Sequence, residues 1–190
     1  MNNTPTNRKT YRPQLSLFHA NGKGTGCALV LELIPACGNE EGCVMAKIAN
    51  QMTIGDRSGP IPVYPRFDWE NATRLKLDFN DLCKMLQVFR GDCESLEDGK
   101  GLYHRSAKAT TRICMRHVIE PLQGYSLETY RTTQATQEES RAHILLSPHE
   151  ALGLTAALES SMGVLCFGVP TAETAVRAGA VREAEVRDVA

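Results

Sequence analysis

The chain writes one order of elements twice, and this limits its fold more than any other feature. The first pass opens at Leu17-Phe18-His19 and closes in a helix-like run, Asp81–Phe89. The second opens at Leu102-Tyr103-His104 and closes in another, Ser147–Leu158. Each pass reads as several strands and then one helix. A unit of this kind exposes an apolar face that a second copy can cover.

The first pass begins with a strand at 14–19 and a glycine-rich turn at 20–26, which reads as flexible. An apolar strand at 27–34 ends at Pro35. The next strand, 43–52, alternates Val44, Ala46, Ile48 and Met52 with Met45, Lys47 and Gln51. An insertion at 53–72 carries Pro60, Pro62 and Pro65, which argue against a regular element, and ends in Phe67-Asp68-Trp69. Trp69 reads as a plug packed under this loop rather than as a base platform. The strand 74–79 follows, with Phe79 inward. Asn80 reads as the helix cap, and Gly91 as its stop.

After an acidic linker at 92–100, the second pass gives strands at 102–107, 111–120, 125–132 and 141–146. Ser147-Pro148-His149-Glu150 is a capping-box start for a helix running to Met162. Val164–Val169 reads as a separate apolar segment closing the core. Residues 1–13 read as a flexible basic arm and 170–190 as a tail, flanking one domain made of two repeats, 14–91 and 101–169.

The 190 residues carry a formal net charge of −1, so no global basic signal points to nucleic acid. The distribution does. No acid precedes Glu32, and none lies between Asp98 and Glu120, where Lys100, Arg105, Lys108, Arg112 and Arg116 fall. Local basic patches steer polyanions even at near-zero net charge. The seven cysteines include no Cys-x-x-Cys pair, and Cys37 with Cys43 fits no common zinc spacing. Reduced thiols fit a cytoplasmic or nucleoid-associated protein, or an organellar one if the arm is a presequence. No apolar run reads as long enough to cross a membrane.

No catalytic constellation stands out. Cys114 and His117 are three apart on a strand and point to opposite faces, which argues against an enzyme built on them. His19 and His104 occupy equivalent positions in the two passes and read as packed, hydrogen-bonded histidines. His117 falls on an apolar face. No cofactor or metal site is expected.

Binding a single strand needs cations for phosphates and flat rings for bases. The outward side of the second half offers Tyr103 with Arg105, Arg112 with Arg116, and Tyr125 with Arg131, and Lys108 lies in the same acid-free stretch. The first half places Phe18, Lys23, Lys47, Arg74 and Lys76 comparably. The second half is the better candidate for phosphate contact. A scaffold that has kept the fold without the ligand is the competing reading.

Four stretches together resemble the Whirly family of single-stranded DNA-binding proteins. They are Phe67-Asp68-Trp69 with Leu75-Lys76-Leu77; Leu82–Gly91; Tyr103-His104 with Arg112–Val118 and Ile119-Glu120-Pro121-Leu122; and Ala142–Leu158. The family's Lys-Gly-Lys-Ala-Ala-Leu segment has its nearest match at Lys23–Leu29, with a changed centre. The resemblance implies an α+β fold: two four-stranded antiparallel sheets packed together, each followed by a helix. It implies a homo-oligomer, a tetramer formed through the helices. It also implies single-stranded DNA, or RNA in a protein of the same fold, running along the sheet edges with little sequence preference. Such a protein would protect exposed strands in replication, repair or recombination.

Overall fold

The computed structural model describes residues 14–37 and 39–169; the expected arm and tail lie outside the described residues. The first pass forms β1 (Gln14–His19), β2 (Cys27–Ile34), β3 (Cys43–Thr53), β4 (Arg66–Phe67), β5 (Thr73–Leu77) and α1 (Phe79–Arg90). The second forms β6 (Leu102–Arg105), β7 (Ala109–Val118), β8 (Gly124–Thr133), β9 (Glu139–Leu146) and α2 (Pro148–Phe167). The expected α+β architecture of two antiparallel sheets, each followed by a helix, is what the chain adopts. Strands β1, β2, β3 and β5 lie side by side in one sheet, and β6 to β9 in the other.

Alternation decides which face is buried. Leu29, Ala46, Ile48, Leu75 and Leu77 point inward from the first sheet, and Ile113, Met115, Leu127, Ile144 and Leu146 from the second. Leu82, Met85, Leu86 and Phe89 of α1 join them, as do Leu154, Leu158 and Leu165 of α2. Each helix also reaches across to the other repeat. Helix α1 packs against β7, and the Tyr125 hydroxyl of β8 donates to the Phe89 carbonyl at 3.1 Å. Helix α2 lies against β1 and β2, where Ala157 and Leu158 face Leu15, Leu31 and Leu33. It also reaches β8 and touches α1, where Arg90 grips Glu159 at 2.8 Å.

The same exchange appears in polar form. His19 of β1 meets Glu150 of α2 at 2.7 Å, and His104 of β6 meets Asp81 of α1 at 3.2 Å. Both acids are the third residue of a capping box, with Asp78 and Ser147 as the caps. Each carboxylate therefore holds its own helix start and a histidine of the other repeat. The reading of His19 and His104 as packed, hydrogen-bonded side chains holds. Burial opposes the charge of Glu150, but hydrogen bonds from Ser147 and His19 overcome it and bring its pKa down to about 2.

Several boundaries differ from the sequence reading. The α1 cap is Asp78, not Asn80, because Asp78 accepts from the Asp81 N–H at 2.9 Å. Phe79 consequently starts the helix and is exposed instead of pointing inward. Helix α2 runs through Val164 to Phe167, since nothing breaks it before Gly168 (φ 73°). It is also long and apolar enough to span a membrane, contrary to expectation, but here its buried side faces the shared core. At the end of β3 Gln51 is buried and Met52 exposed, the reverse of the expected alternation, because the Gln51 side chain is held in the β1–β2 turn. The Gln51 amide then pins the β1–β2 turn, accepting from Asn21 N–H at 2.9 Å and Gly26 N–H at 3.1 Å, so this glycine-rich turn is tied down. The proline-rich insertion does contain a strand, the two-residue β4, placed after Pro65 where Arg66 N–H reaches the Thr53 hydroxyl at 3.0 Å. Beyond β7, Ile119 is 71% exposed, and His117 is exposed with its ring against Tyr125, so neither joins the apolar interior.

Two tests follow. Fragments 1–95 and 96–190 should each fail to give a cooperative thermal transition, while their mixture should recover one, because each sheet needs the other repeat's helix. The second concerns pH. Hydrogen bonding to Asp81 raises the pKa of His104 above 6.5, against the opposing effect of burial. The pair therefore contributes fully below that value and is lost as pH rises through the elevated one. His104→Gln should remove about 1 kcal/mol at pH 6 and less at pH 9, measured by urea denaturation at the two pH values.

Candidate nucleic-acid interface

The helices cover the inner faces; the outer face of the second sheet carries exposed side chains, and that of the first is exposed at Arg74 and Lys76 but buried at Ala28, Val30 and Ala49. On the second sheet the register lines up one side chain from each strand. Tyr103 pairs with Arg112, Arg112 with Tyr130, and Tyr130 with Arg141. The result is a row of alternating rings and guanidiniums across all four strands. Arg112 Cζ sits 4.7 Å from the centre of the Tyr130 ring and Arg141 Cζ 5.3 Å from it. Such contacts are worth about 0.5–1 kcal/mol each at exposed sites. Tyr103, 64% exposed, hydrogen-bonds Arg112 from the other side and further stabilises its charge.

Glu128, one step along β8, completes the group. Its carboxylate accepts from Arg141 Nη2 at 2.7 Å and from the Tyr130 hydroxyl. Burial pushes its pKa up, but these two bonds outweigh burial and hold it below the usual value. The same bond to Glu128 keeps the Tyr130 hydroxyl protonated to higher pH than usual. The row forms the floor of a groove of about 560 Å³, walled further by Thr110, Thr132, Glu139 and Ser140.

A second aromatic group stands at the junction of the sheets. Phe18 of β1 (58% exposed) meets Phe67 at 5.7 Å and Trp69 at 6.4 Å between ring centres. Trp69 is 36% exposed, so it packs on its neighbours without being a buried plug. Asn50 joins this group to the row: its carbonyl accepts from Asp68 N–H, and its side chain donates to the Arg141 carbonyl, both at 2.9 Å.

The structure sorts the expected binding residues. Tyr103 and Arg112 belong to the row, and Arg105 shares their face one step toward Thr110. Arg116 lies on that face too, exposed, two steps further along β7. Lys108 is exposed in the β6–β7 turn, and Lys23 in the β1–β2 turn. Arg74 and Lys76 are exposed on the outer face of the first sheet. Lys47 lies between Val30 and Arg74 on that face, its charge engaged by Glu32 at 3.4 Å.

Tyr125 and Arg131 need correction. They do share one face of β8, but it is the inner one: Tyr125 meets Phe89 edge-on at 5.2 Å between ring centres, and Arg131 pairs with Thr111 and Ser140. Register sets this, since Tyr130 and not Arg131 lies opposite Arg112. Arg131 nonetheless contributes to the groove wall. Tyr130, Arg141 and Glu128 were absent from the sequence reading. The signal that finds Tyr130 and Glu128 is the β7–β8 register, centred on Pro121, and Arg141 needs the β8–β9 register as well.

No family model matches the sequence, and no curated protein does. Solved structures do match. WHY1 from Arabidopsis thaliana superposes with a TM-score of 0.67 at 13% identity, over 93% of this chain and 94% of its own. The fold is Whirly-like. The plant transcriptional regulator PBF-2 matches with a TM-score of 0.60 at 16% identity, over 82% of each chain. A guide-RNA-binding protein complex, solved bound to a guide RNA, matches with a TM-score of 0.54 at 13% identity, over 82% of this chain and 93% of that one. At these identities the Whirly-like resemblance of this chain extends to the fold.

The face assignment is testable by stability. Tyr103→Ala and Arg112→Ala, on the open face, should each change unfolding free energy by less than about 1 kcal/mol. Tyr125→Ala, which removes a ring from the Phe89 contact and a hydrogen bond, should cost about 2–4 kcal/mol. Chemical denaturation of the three variants decides it.

Proposed function

We propose that this protein binds single-stranded nucleic acid on the outer face of its second sheet, with single-stranded DNA as the principal ligand and little sequence preference. The observation that carries the reading is the Tyr103–Arg112–Tyr130–Arg141 row in an open groove. Guanidiniums take phosphate oxygens in forked, charge-assisted pairs. Tyr103 presents a free ring on which any base can stack, a contact worth about 1–3 kcal/mol per base. Tyr130 has a different task. With both guanidiniums over its ring, it spaces two cations along the strand instead of receiving a base. Beyond Asn50, the Phe18–Phe67–Trp69 group offers further rings, and Arg105, Arg116 and Lys108 add charge at the margins. Contacts of this kind read no base edge, so binding is independent of sequence.

RNA is the second reading, favoured by the guide-RNA complex among the structural neighbours. We read the protein as non-catalytic, protecting or organising exposed strands in replication, repair or recombination. Helix α2 keeps Leu152 and Phe167 exposed, at 72% and 90%, which supports self-association through the helices, with a tetramer as the expected form. Oligomerisation would lengthen the track and add avidity.

Affinity for oligo-dT should fall steeply as salt rises, with a log–log slope of about −0.7 per phosphate engaged. Arg112→Glu with Arg116→Glu should weaken binding to every sequence by tenfold or more without lowering the thermal midpoint by more than a few degrees. Fluorescence anisotropy against dT, mixed-sequence DNA and RNA of equal length checks both, and unchanged binding in the double variant would remove this face from consideration.

A further inference from the structure

Within the row, the two guanidiniums are not equivalent. Among the described residues Arg112 meets no carboxylate; its neighbours are Tyr103, Cys114 and Tyr130. Arg141 is held by Glu128, and the oxygen that binds it also takes the Tyr130 hydroxyl. That oxygen therefore sits where a guanidinium and a phenol converge, the position a phosphate oxygen would take. Carboxylate and phosphate oxygens are the same kind of acceptor for an arginine fork. Glu128 is only 15% exposed at its side chain while Arg141 is 60% exposed, so the arginine is the partner free to swing away.

We propose that Glu128 is a built-in competitor for the nucleic-acid phosphate: it occupies the anion position of Arg141 in the free protein and must yield Arg141 when a strand binds. The inference rests on the nucleic-acid reading of this face. It has a distinct consequence. A phosphate that binds Arg112 adds an ion pair, whereas one that binds Arg141 exchanges one ion pair for another. Engaging Arg141 thus adds less affinity and less salt dependence than its charge implies. The carboxylate also penalises any anion that cannot offer Arg141 a better fork, so weak anions are turned away while the row stays assembled through Tyr130.

The test is Glu128→Gln, which keeps size and a hydrogen-bonding oxygen but removes the charge. Binding of fluorescent oligo-dT should tighten by about three- to tenfold at low salt, and the salt slope should steepen by about 0.7, one further phosphate on a single strand. In an Arg141→Gln background the same change should have no effect. Glu138→Gln, which removes an exposed carboxylate from the β8–β9 turn, serves as the control for general charge.

Weaker binding by Glu128→Gln would make Glu128 a positioning residue and overturn the proposal. So would an equal gain in Glu138→Gln, or a gain that persists without Arg141. Wild-type binding that Glu128→Gln leaves unaltered overturns the competitor alone. Binding by Glu128→Gln where wild type binds nothing supports it strongly. If neither protein binds oligo-dT or oligo-U at low salt, the nucleic-acid reading fails and the competitor falls with it.

Discussion

Each helix of this protein reaches across to the sheet of the other repeat while still touching its own, and the rest of the structure depends on that crossing. An antiparallel sheet with one apolar face has to bury it, and a single repeat brings only one helix. By crossing, α1 and α2 seal one core between two sheets and touch each other at Arg90–Glu159. The crossing is fixed at both ends by one device: a histidine from the opening strand of one repeat bonds the capping-box acid of the other repeat's helix. The motif that opens each pass is therefore a clasp between repeats. It gives a structural reason for a Leu-aromatic-His sequence that occurs twice in the chain.

On the outer faces the two repeats differ. The first sheet carries the exposed Arg74 and Lys76, the Lys47–Glu32 pair and an aromatic group at its end. The second carries the row of rings and guanidiniums. Cross-strand register builds that row, since its four residues are scattered through nearly forty positions and meet only when four strands align. The aromatic following the leucine then has its own meaning. In an extended strand neighbours face opposite ways, so a histidine committed to the inner clasp puts the preceding residue, Phe18 or Tyr103, on the outer face. One dipeptide thus serves assembly with one side chain and exposes a ring with the other.

Much of this was legible in the chain. Strands β1 and β2 have the expected boundaries because alternation and breakers coincide there. The faces of β7 were legible because Ile113 and Met115 contrast so plainly with Arg112 and Arg116. Strand β8 was not, because each parity carries one tyrosine and one charged residue: Tyr125 with Arg131, Tyr130 with Glu128. Only pairing with β7 separates them. Arg141 was hidden for the same reason, and so was Glu128, whose partners are set by register. The α1 cap was misplaced because Asp78 and Asn80 are both good caps, and the box with Asp81 chooses between them. Met52 misled because Gln51 takes the buried place by holding the β1–β2 turn, a contact that alternation alone does not show.

The central claim is that nucleic acid lies on the outer face of the second sheet, along the row and across to the Phe18–Phe67–Trp69 group. Ultraviolet cross-linking of oligo-dT to the full-length protein, with the modified residues located by mass spectrometry, tests it most directly. Adducts at Tyr103 and at one or more of Phe18, Phe67 and Trp69, with none at Tyr125, are the predicted result. Adducts confined to the helices, or to Tyr125 with Tyr103 untouched, would contradict it.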